Sequence, residues 1–200
     1  SDEAISYTVE RQYDLLDRLT NLTYPDGEVV TYNYDSSTGL LKSVKGLSPK
    51  GTVPYVENII YTPNGQIKTI LYGNQTNTTY NYGSDLRLSQ LITKGFSSSG
   101  APIDLQNLSY EFDQNGNLKK LTDNVSSRTH TREYVYDDLD RLRQALNVPV
   151  PGNRYDSLFY DYDSIGNMTY KSDVGVMSYG QDAGPHAVTS YTLNANRYTL

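Results

Sequence analysis

The 200-residue chain has no cysteine and no tryptophan, and only 3 phenylalanines. Without cysteine, disulfides, thiolate nucleophiles and cysteine-based zinc sites are excluded, which argues against a disulfide-stapled extracellular module. Histidine is almost missing as well: His130 and His186 lie far apart in the sequence, and no cysteine completes a zinc set between them. Basic charge is in deficit, with 17 Lys and Arg against 23 Asp and Glu, a net charge of −6 and a pI near 4.8. That balance disfavours nucleic acid as a partner, because phosphates need a basic footprint, and it disfavours anionic membrane surfaces too. No apolar run approaches the roughly 20 residues of a membrane span, so membrane insertion is not expected. The opening "SDEAISY" has neither the basic start nor the apolar centre of a secretion signal, an absence that means nothing in a piece of a longer protein. G-x-G-x-x-G, P-loop and G-x-S-x-G motifs do not occur, so nucleotide binding and serine hydrolysis have no foothold.

What the chain does have is tyrosine, 20 residues of it, with apolar residues at 36%. Tyrosine favours strands and tolerates one wet end and one dry end, which suits broad shallow layers better than a compact centre. The tyrosines also recur in a pattern. Aligned on the aromatic, Tyr13-Asp14, Tyr34-Asp35, Tyr61-Thr62, Tyr82-Gly83, Phe112-Asp113, Tyr136-Asp137 and Tyr162-Asp163 follow one another at steps of 21, 27, 21, 30, 24 and 26 residues. A core unit of about 21 residues with insertions explains those steps.

Within a unit the order is constant. After the aromatic come two or three polar residues, then Gly or Asp, then Arg, Asn or Gln, then an aliphatic: "DRL" from Asp17, "GQI" from Gly65, "GNL" from Gly116, "GNM" from Gly166. Asx side chains cap their own backbone and Gly accepts positive φ, so the chain reverses there. Between the turns, "EVVTYNYD" (Glu28 to Asp35) and "TREYVYD" (Thr131 to Asp137) alternate as strands do. "YPDGE" supplies a second reversal midway through the first unit, so one unit reads as a hairpin.

Pairs such as Leu19/Leu22, Ile67/Ile70 and Leu118/Leu121 show i,i+3 spacing, and "YDDLDRLRQALN" from Tyr136 could pass for an amphipathic helix. Two residues that close to a turn also point the same way across a β-bulge, and the Thr, Tyr and Val that follow are poor helix formers, so strands are expected. The segments Lys45 to Tyr55, Lys94 to Asp104 and Asn147 to Asp156, rich in Gly, Pro and Ser, read as long hairpin loops on one edge.

The motif Y-D-x-x-G-R/N-L at steps of a little over 20 residues, strongest at Tyr136 to Leu142 and Tyr162 to Met168, resembles the YD repeats of rearrangement-hotspot (Rhs) proteins. That family includes the B and C components of ABC insecticidal toxins, bacterial wall-associated proteins and teneurins. The resemblance runs from about Tyr7 to Tyr191, and "GPHAVTS" from Gly184 resembles a segment found shortly before the Rhs-associated core. It implies an all-β fold, an extended antiparallel β-hairpin ribbon curved as part of a hollow shell. It also implies a single repeat domain over 1–200, of about seven to eight units, that is a fragment of a larger bacterial secreted or surface protein. The shell would enclose a C-terminal toxin or effector, so the partners are the rest of the polypeptide and that effector. The self-cleaving D-P-x-G segments of the family are absent, since none of the 8 prolines follows an aspartate.

The resemblance carries no catalytic residue and no cofactor or metal. Its site residues are those of a structural turn: Tyr13, Asp14, Tyr34, Asp35, Tyr61, Gly65, Tyr82, Phe112, Asp113, Gly116, Tyr136, Asp137, Tyr162, Asp163 and Gly166. Aspartates at one place in repeated turns cap backbone N–H groups far more often than they act as glycosidase acids. "DQNGN" from Asp113 places Gly116 fourth, where a calcium loop wants Gly sixth. The N-x-S/T sequons at Asn21, Asn74, Asn77, Asn107, Asn124 and Asn167 are common by chance in a chain this rich in Asn, Ser and Thr. The rival reading is a carbohydrate-binding or adhesion surface, with glycans as partners, and it turns on whether Tyr32, Tyr34, Tyr80, Tyr82, Tyr134 and Tyr136 stack as scaffold or stand free.

Overall fold

The structure, a computed structural model, describes residues 7–125, 129–150, 154–193 and 196–199. Those residues form seventeen strands and no helix. The chain divides into two compact units, Ser1–Asn107 and Leu108–Leu200. The first holds β1 (Glu10–Tyr13), β2 (Leu19–Thr23), β3 (Val29–Tyr34), β4 (Leu41–Ser48), β5 (Gly51–Tyr61), β6 (Ile67–Tyr72), β7 (Asn77–Tyr82), β8 (Leu88–Phe96) and the start of β9 (Pro102–Phe112). Each of β1 to β7 pairs antiparallel with the next strand. The second unit holds the end of β9, then β10 (Leu118–Asp123), β11 (His130–Tyr136), β12 (Leu142–Val150), β13 (Arg154–Tyr162), β14 (Met168–Lys171), β15 (Gly175–Tyr179), β16 (Val188–Leu193) and β17 (Asn196–Thr199). Here too each strand pairs antiparallel with its successor. The all-β antiparallel hairpin repeat read from the sequence is the fold.

The stretch from Tyr136 that imitates a helix is a turn followed by β12. Its i,i+3 spacing has a single cause. Tyr13 faces Leu19 while Gln12 faces Asn21, so Thr20 is an extra residue in β2. The same shift recurs where Tyr34 faces Leu41, Tyr61 faces Ile67, Tyr82 faces Leu88, Phe112 faces Leu118, Tyr136 faces Leu142 and Tyr162 faces Met168. One bulged residue reverses the side-chain alternation, which puts Leu19 and Leu22 on the same face.

The Gly, Pro and Ser-rich segments are not long loops. β4 and β5 extend through the first of them and turn sharply between Ser48 and Gly51, and β8 and β9 are joined over Ser97 to Ala101. The extra length goes into longer strands because prolines are accommodated at irregularities: Pro54 faces Lys45 beside a register shift in β5. In the third segment β12 runs to Val150 and β13 starts at Arg154, and 151–153 lie outside the described residues.

Burial is shallow. Among the described residues Val30 and Ala145 are the buried apolar side chains, while Thr78, Asn167, Thr189 and Ser190 are buried polar ones. The polar groups are satisfied across strands, as where the Thr78 and Thr93 hydroxyls meet at 2.9 Å. With so little apolar core, the hydrogen-bonded turns carry a larger share of the order within each unit.

Candidate functional site

The repeated turns are built on one plan. The Asp14 N–H donates to the Arg18 carbonyl (3.0 Å) and the Asp17 N–H to the Asp14 carbonyl (3.1 Å). The same two bonds close the turns at 62–66, 83–87, 113–117, 137–141 and 163–167. This leaves the fourth residue in the left-handed region: φ is 56° at Asp17, 81° at Gly65, 63° at Leu86, 97° at Gly116, 59° at Asp140 and 92° at Gly166. Gly and Asp recur there because they adopt that conformation at least cost. The Asp35 turn is one residue longer, with Asp35 N–H donating to the Leu40 carbonyl and the positive φ falling on Gly39.

The turn aspartate holds the loop from inside. Asp137 Oδ1 accepts the N–H groups of Leu139 (3.0 Å) and Arg141 (2.9 Å), and Oδ2 accepts Arg141 Nε (2.8 Å). Asp14 does the same with Leu16 and Arg18, and Asp163 with Ile165 and Asn167. Asp113 Oδ1 accepts the Asn117 N–H (2.8 Å) and Oδ2 its side-chain amide (3.1 Å). Asp35 is met by the N–H and hydroxyl groups of both Ser37 and Thr38.

Two units lack the aspartate and reach the same end differently. Thr62 Oγ1 accepts the Gln66 N–H (3.1 Å). At Gly83 a Cβ would lie 2.7 Å from the Asp85 carboxylate, which takes up that space and accepts the Arg87 N–H (3.2 Å).

The aromatic and the residue after the left-handed position join one turn to the next. Six tyrosine hydroxyls donate backwards to the carbonyl of the aliphatic that closes a preceding turn. The pairs are Tyr34 to Leu19 (2.9 Å), Tyr61 to Leu41 (2.7 Å), Tyr82 to Ile67 (2.7 Å), Tyr136 to Leu118 (3.0 Å), Tyr162 to Leu142 (3.0 Å) and Tyr179 to Met168 (2.8 Å). Side chains also donate forwards: Arg18 to the Gly39 carbonyl, Gln66 to that of Leu86, Asn117 to the Asp140 carboxylate, Arg141 to the Asp163 carbonyl and Asn167 to that of Pro185. Arg18 lies 4.4 Å from the centre of the Tyr34 ring and Arg141 4.8 Å from that of Tyr162, so the two joints share cation–π contact.

The electrostatics follow from these bonds. The Arg18 guanidinium holds the Asp14 carboxyl below the usual carboxylate range, and the Ser37 hydroxyl leads the groups that hold Asp35 well below it. At Asp113, Asp137 and Asp163 partial burial pushes upward, but hydrogen bonds from Asn117, Arg141 and Asn167 more than offset it. Burial raises the hydroxyls of Tyr61, Tyr136, Tyr162 and Tyr179. The carboxylates are therefore held ionised as acceptors and the phenols held neutral as donors, the charge state that these joints use.

All the expected turn residues sit in or beside these loops. The forward donors Arg18, Asn117, Arg141 and Asn167 also bond the aspartate of their own turn, so the turn explains the residue type but not its second partner. Their signal, with Gln66, is the Arg, Asn or Gln that precedes the aliphatic in every turn of the motif but the Asp35 one.

A β-hairpin repeat whose turns are joined in series by tyrosine and by Arg, Asn or Gln is what the fold and its turns define. The RHS repeat model matches residues 13–52 of this chain. No curated protein matches the chain. Among solved structures, the crystal structure of TcdB2-TccC3-Cdc42 is similar with a TM-score of 0.74 at 21% identity, covering 95% of this chain and 10% of that one. The Photorhabdus luminescens Tc holotoxin pore is similar with a TM-score of 0.69 at 20% identity, covering 96% and 10%. TcdB2-TccC3 without its hypervariable C-terminal region gives 0.69 at 21% identity, covering 96% and 10%. The chain thus shares its fold with these and spans about a tenth of their length.

Proposed function

We propose that this chain is a length of structural wall in an Rhs/YD-type shell that encapsulates a C-terminal toxin or effector for delivery. The observation that carries the reading is the serial joint, Tyr hydroxyl backwards and Arg, Asn or Gln forwards, repeated from Arg18 to Asn167. Within each unit such joints tie one hairpin to the next, as a wall requires. The Tyr-Asp residues are structural, the protein is not an enzyme, and 1–200 is one run of repeats within a larger polypeptide. Its partners are the remainder of that polypeptide and the enclosed effector, in a secreted or surface-delivered bacterial protein. The likeness in fold to TcdB2-TccC3 supports this assignment.

Limited proteolysis of the longer chain containing these repeats tests it. The segment downstream of the repeats is expected to survive protease under native conditions and to be cut once the wall is denatured. Cleavage of that segment at the same rate in both states overturns encapsulation.

A further inference from the structure

In the first unit a pocket of about 680 Å³ opens beside the hairpin turn between β2 and β3. Tyr7, Tyr24, Tyr32 and Tyr55 line it together with the carboxylates of Asp26 and Glu28, and among the described residues no lysine, arginine, histidine, asparagine or glutamine does. The turn closes through Tyr24 N–H to the Glu28 carbonyl (2.8 Å) and Gly27 N–H to the Tyr24 carbonyl (2.9 Å). Asp26 Oδ1 accepts the Glu28 N–H (3.1 Å), which fixes that carboxylate at the rim.

Tyr55 owes its place to a bulge. Val44 faces Val56 and Lys45 faces Pro54, so Tyr55 is the extra residue between them and leaves the strand alternation. Its ring covers Gly46, where a Cβ would come within 2.7 Å of the ring edge, and its hydroxyl donates to the Glu28 carboxylate. Only glycine at 46 lets the ring lie there. Ring and carboxylate are thus set side by side by the backbone.

The charge at this place is uncompensated. Asp14, Asp85, Asp104, Glu111, Asp137, Asp161 and Asp173 each have a Lys or Arg within ion-pair distance. Among the described residues Asp26 and Glu28 have no such partner. Two negative charges stand beside four electron-rich rings around one open pocket.

We propose that this pocket binds an organic cation, a quaternary ammonium or guanidinium group. Aromatic faces attract cations through their quadrupole, and flanking carboxylates add Coulomb attraction. An anion is repelled by the same lining. A neutral sugar finds acceptors but lacks the amide and basic donors that orient its hydroxyls, so it is the weaker ligand here. The inference stands apart from the shell reading, since the pocket would bind a cation whatever the wall encloses.

The test is titration of the 200-residue chain, at constant ionic strength, with choline, with the neutral isostere of choline in which carbon replaces nitrogen, with N-acetylarginine methylamide and with methyl glucoside. Tyrosine-ring NMR resonances report binding. Choline or the arginine derivative is expected to shift the Tyr24, Tyr32 and Tyr55 signals saturably, and the isostere to bind roughly tenfold more weakly or less. Stronger binding by choline indicates a free small cation, and stronger binding by the arginine derivative a peptide side chain. Glu28→Gln and Asp26→Asn should each weaken the cation several-fold. The Asn variant can still accept the Glu28 N–H, so the turn survives if the other variant misfolds. Equal binding by isostere or glucoside, no saturable shift with either cation, or unchanged affinity in a folded Asp26→Asn chain overturns the proposal.

Discussion

Tyr162 donates its hydroxyl to the Leu142 carbonyl at 3.0 Å while the guanidinium of Arg141, the residue before Leu142, covers the same ring at 4.8 Å. One side chain therefore holds the preceding turn by two adjacent residues, through its edge and through its face.

The two contacts separate by mutation. Tyr162→Phe keeps the ring under Arg141 and leaves the Leu142 carbonyl without its phenol donor, at a cost of about 1–3 kcal/mol. Tyr162→Leu loses the ring contact as well and is expected to cost more. Urea denaturation of both variants checks the order, and equal stability of Tyr162→Phe and the parent would show that water replaces the hydroxyl without loss.

Asp137 and Asp138 are neighbours with different duties. Asp137 accepts two backbone N–H groups and the Arg141 side chain, whereas Asp138 is an exposed turn residue. Asp137→Ala is expected to lower the melting temperature clearly, Asp137→Asn to lower it less because the amide oxygen still caps, and Asp138→Ala to leave it unchanged. Thermal denaturation of the three variants decides; a larger fall for Asp138→Ala would contradict the capping role.

Leu86 occupies the left-handed position that Asp17, Gly65, Gly116, Asp140 and Gly166 fill in the matching turns, with φ at 63°. The conformation costs a non-glycine residue about 1–2 kcal/mol, and glycine's extra chain entropy costs about 0.5–1. Leu86→Gly is therefore expected to stabilise the chain, by roughly 0.5–1 kcal/mol, since the side chain it removes is half exposed. Its carbonyl, which accepts from Gln66 Nε2, is unaffected. A fall in the denaturation midpoint would show that the Leu86 side chain makes a contact worth more than the strain.

The pH profile follows from the direction of the shifts. Asp14, Asp35, Asp113, Asp137 and Asp163 are lowered in the folded chain, so on acidification the unfolded chain takes up protons first. Stability is full above the ordinary carboxylate pKa of about 4 and falls as the pH drops below it. The tyrosines Tyr61, Tyr136, Tyr162 and Tyr179 are raised, so their contribution is full below about pH 10 and is lost as the pH climbs through their folded values. Melting temperature against pH should show a plateau with an acid and an alkaline shoulder. The Tyr162→Phe variant should have the smaller alkaline loss, and an unchanged alkaline limb would remove the phenols from the account.

The strands and turns were legible because their signals are local. Alternation in "VVTYNY", the aspartate cap and the glycine at Gly65, Gly116 and Gly166 each act within a few residues of one another. The i,i+3 aliphatic pairs were legible for the same reason, since the bulge at Thr20 sits one residue past the turn that causes it. The joints were not, because Arg18 and Gly39 or Tyr162 and Leu142 lie about a unit apart, and spacing alone does not say which donor meets which carbonyl. The strand extensions at Gly51 and Pro102 were missed because glycine and proline mark a turn without saying how short it is.

The Asp35 turn, longer by one residue, puts Leu40 at the place that Arg18, Gln66, Asn117, Arg141 and Asn167 hold elsewhere, yet Tyr61 still reaches back to Leu41. A joint can thus lose its forward half and keep its backward half. Copying or deleting a whole hairpin by recombination leaves every donor opposite an acceptor, whereas a single inserted residue costs one strut at one place. Such a chain can change length in inherited steps of one hairpin without first passing through a form that cannot fold.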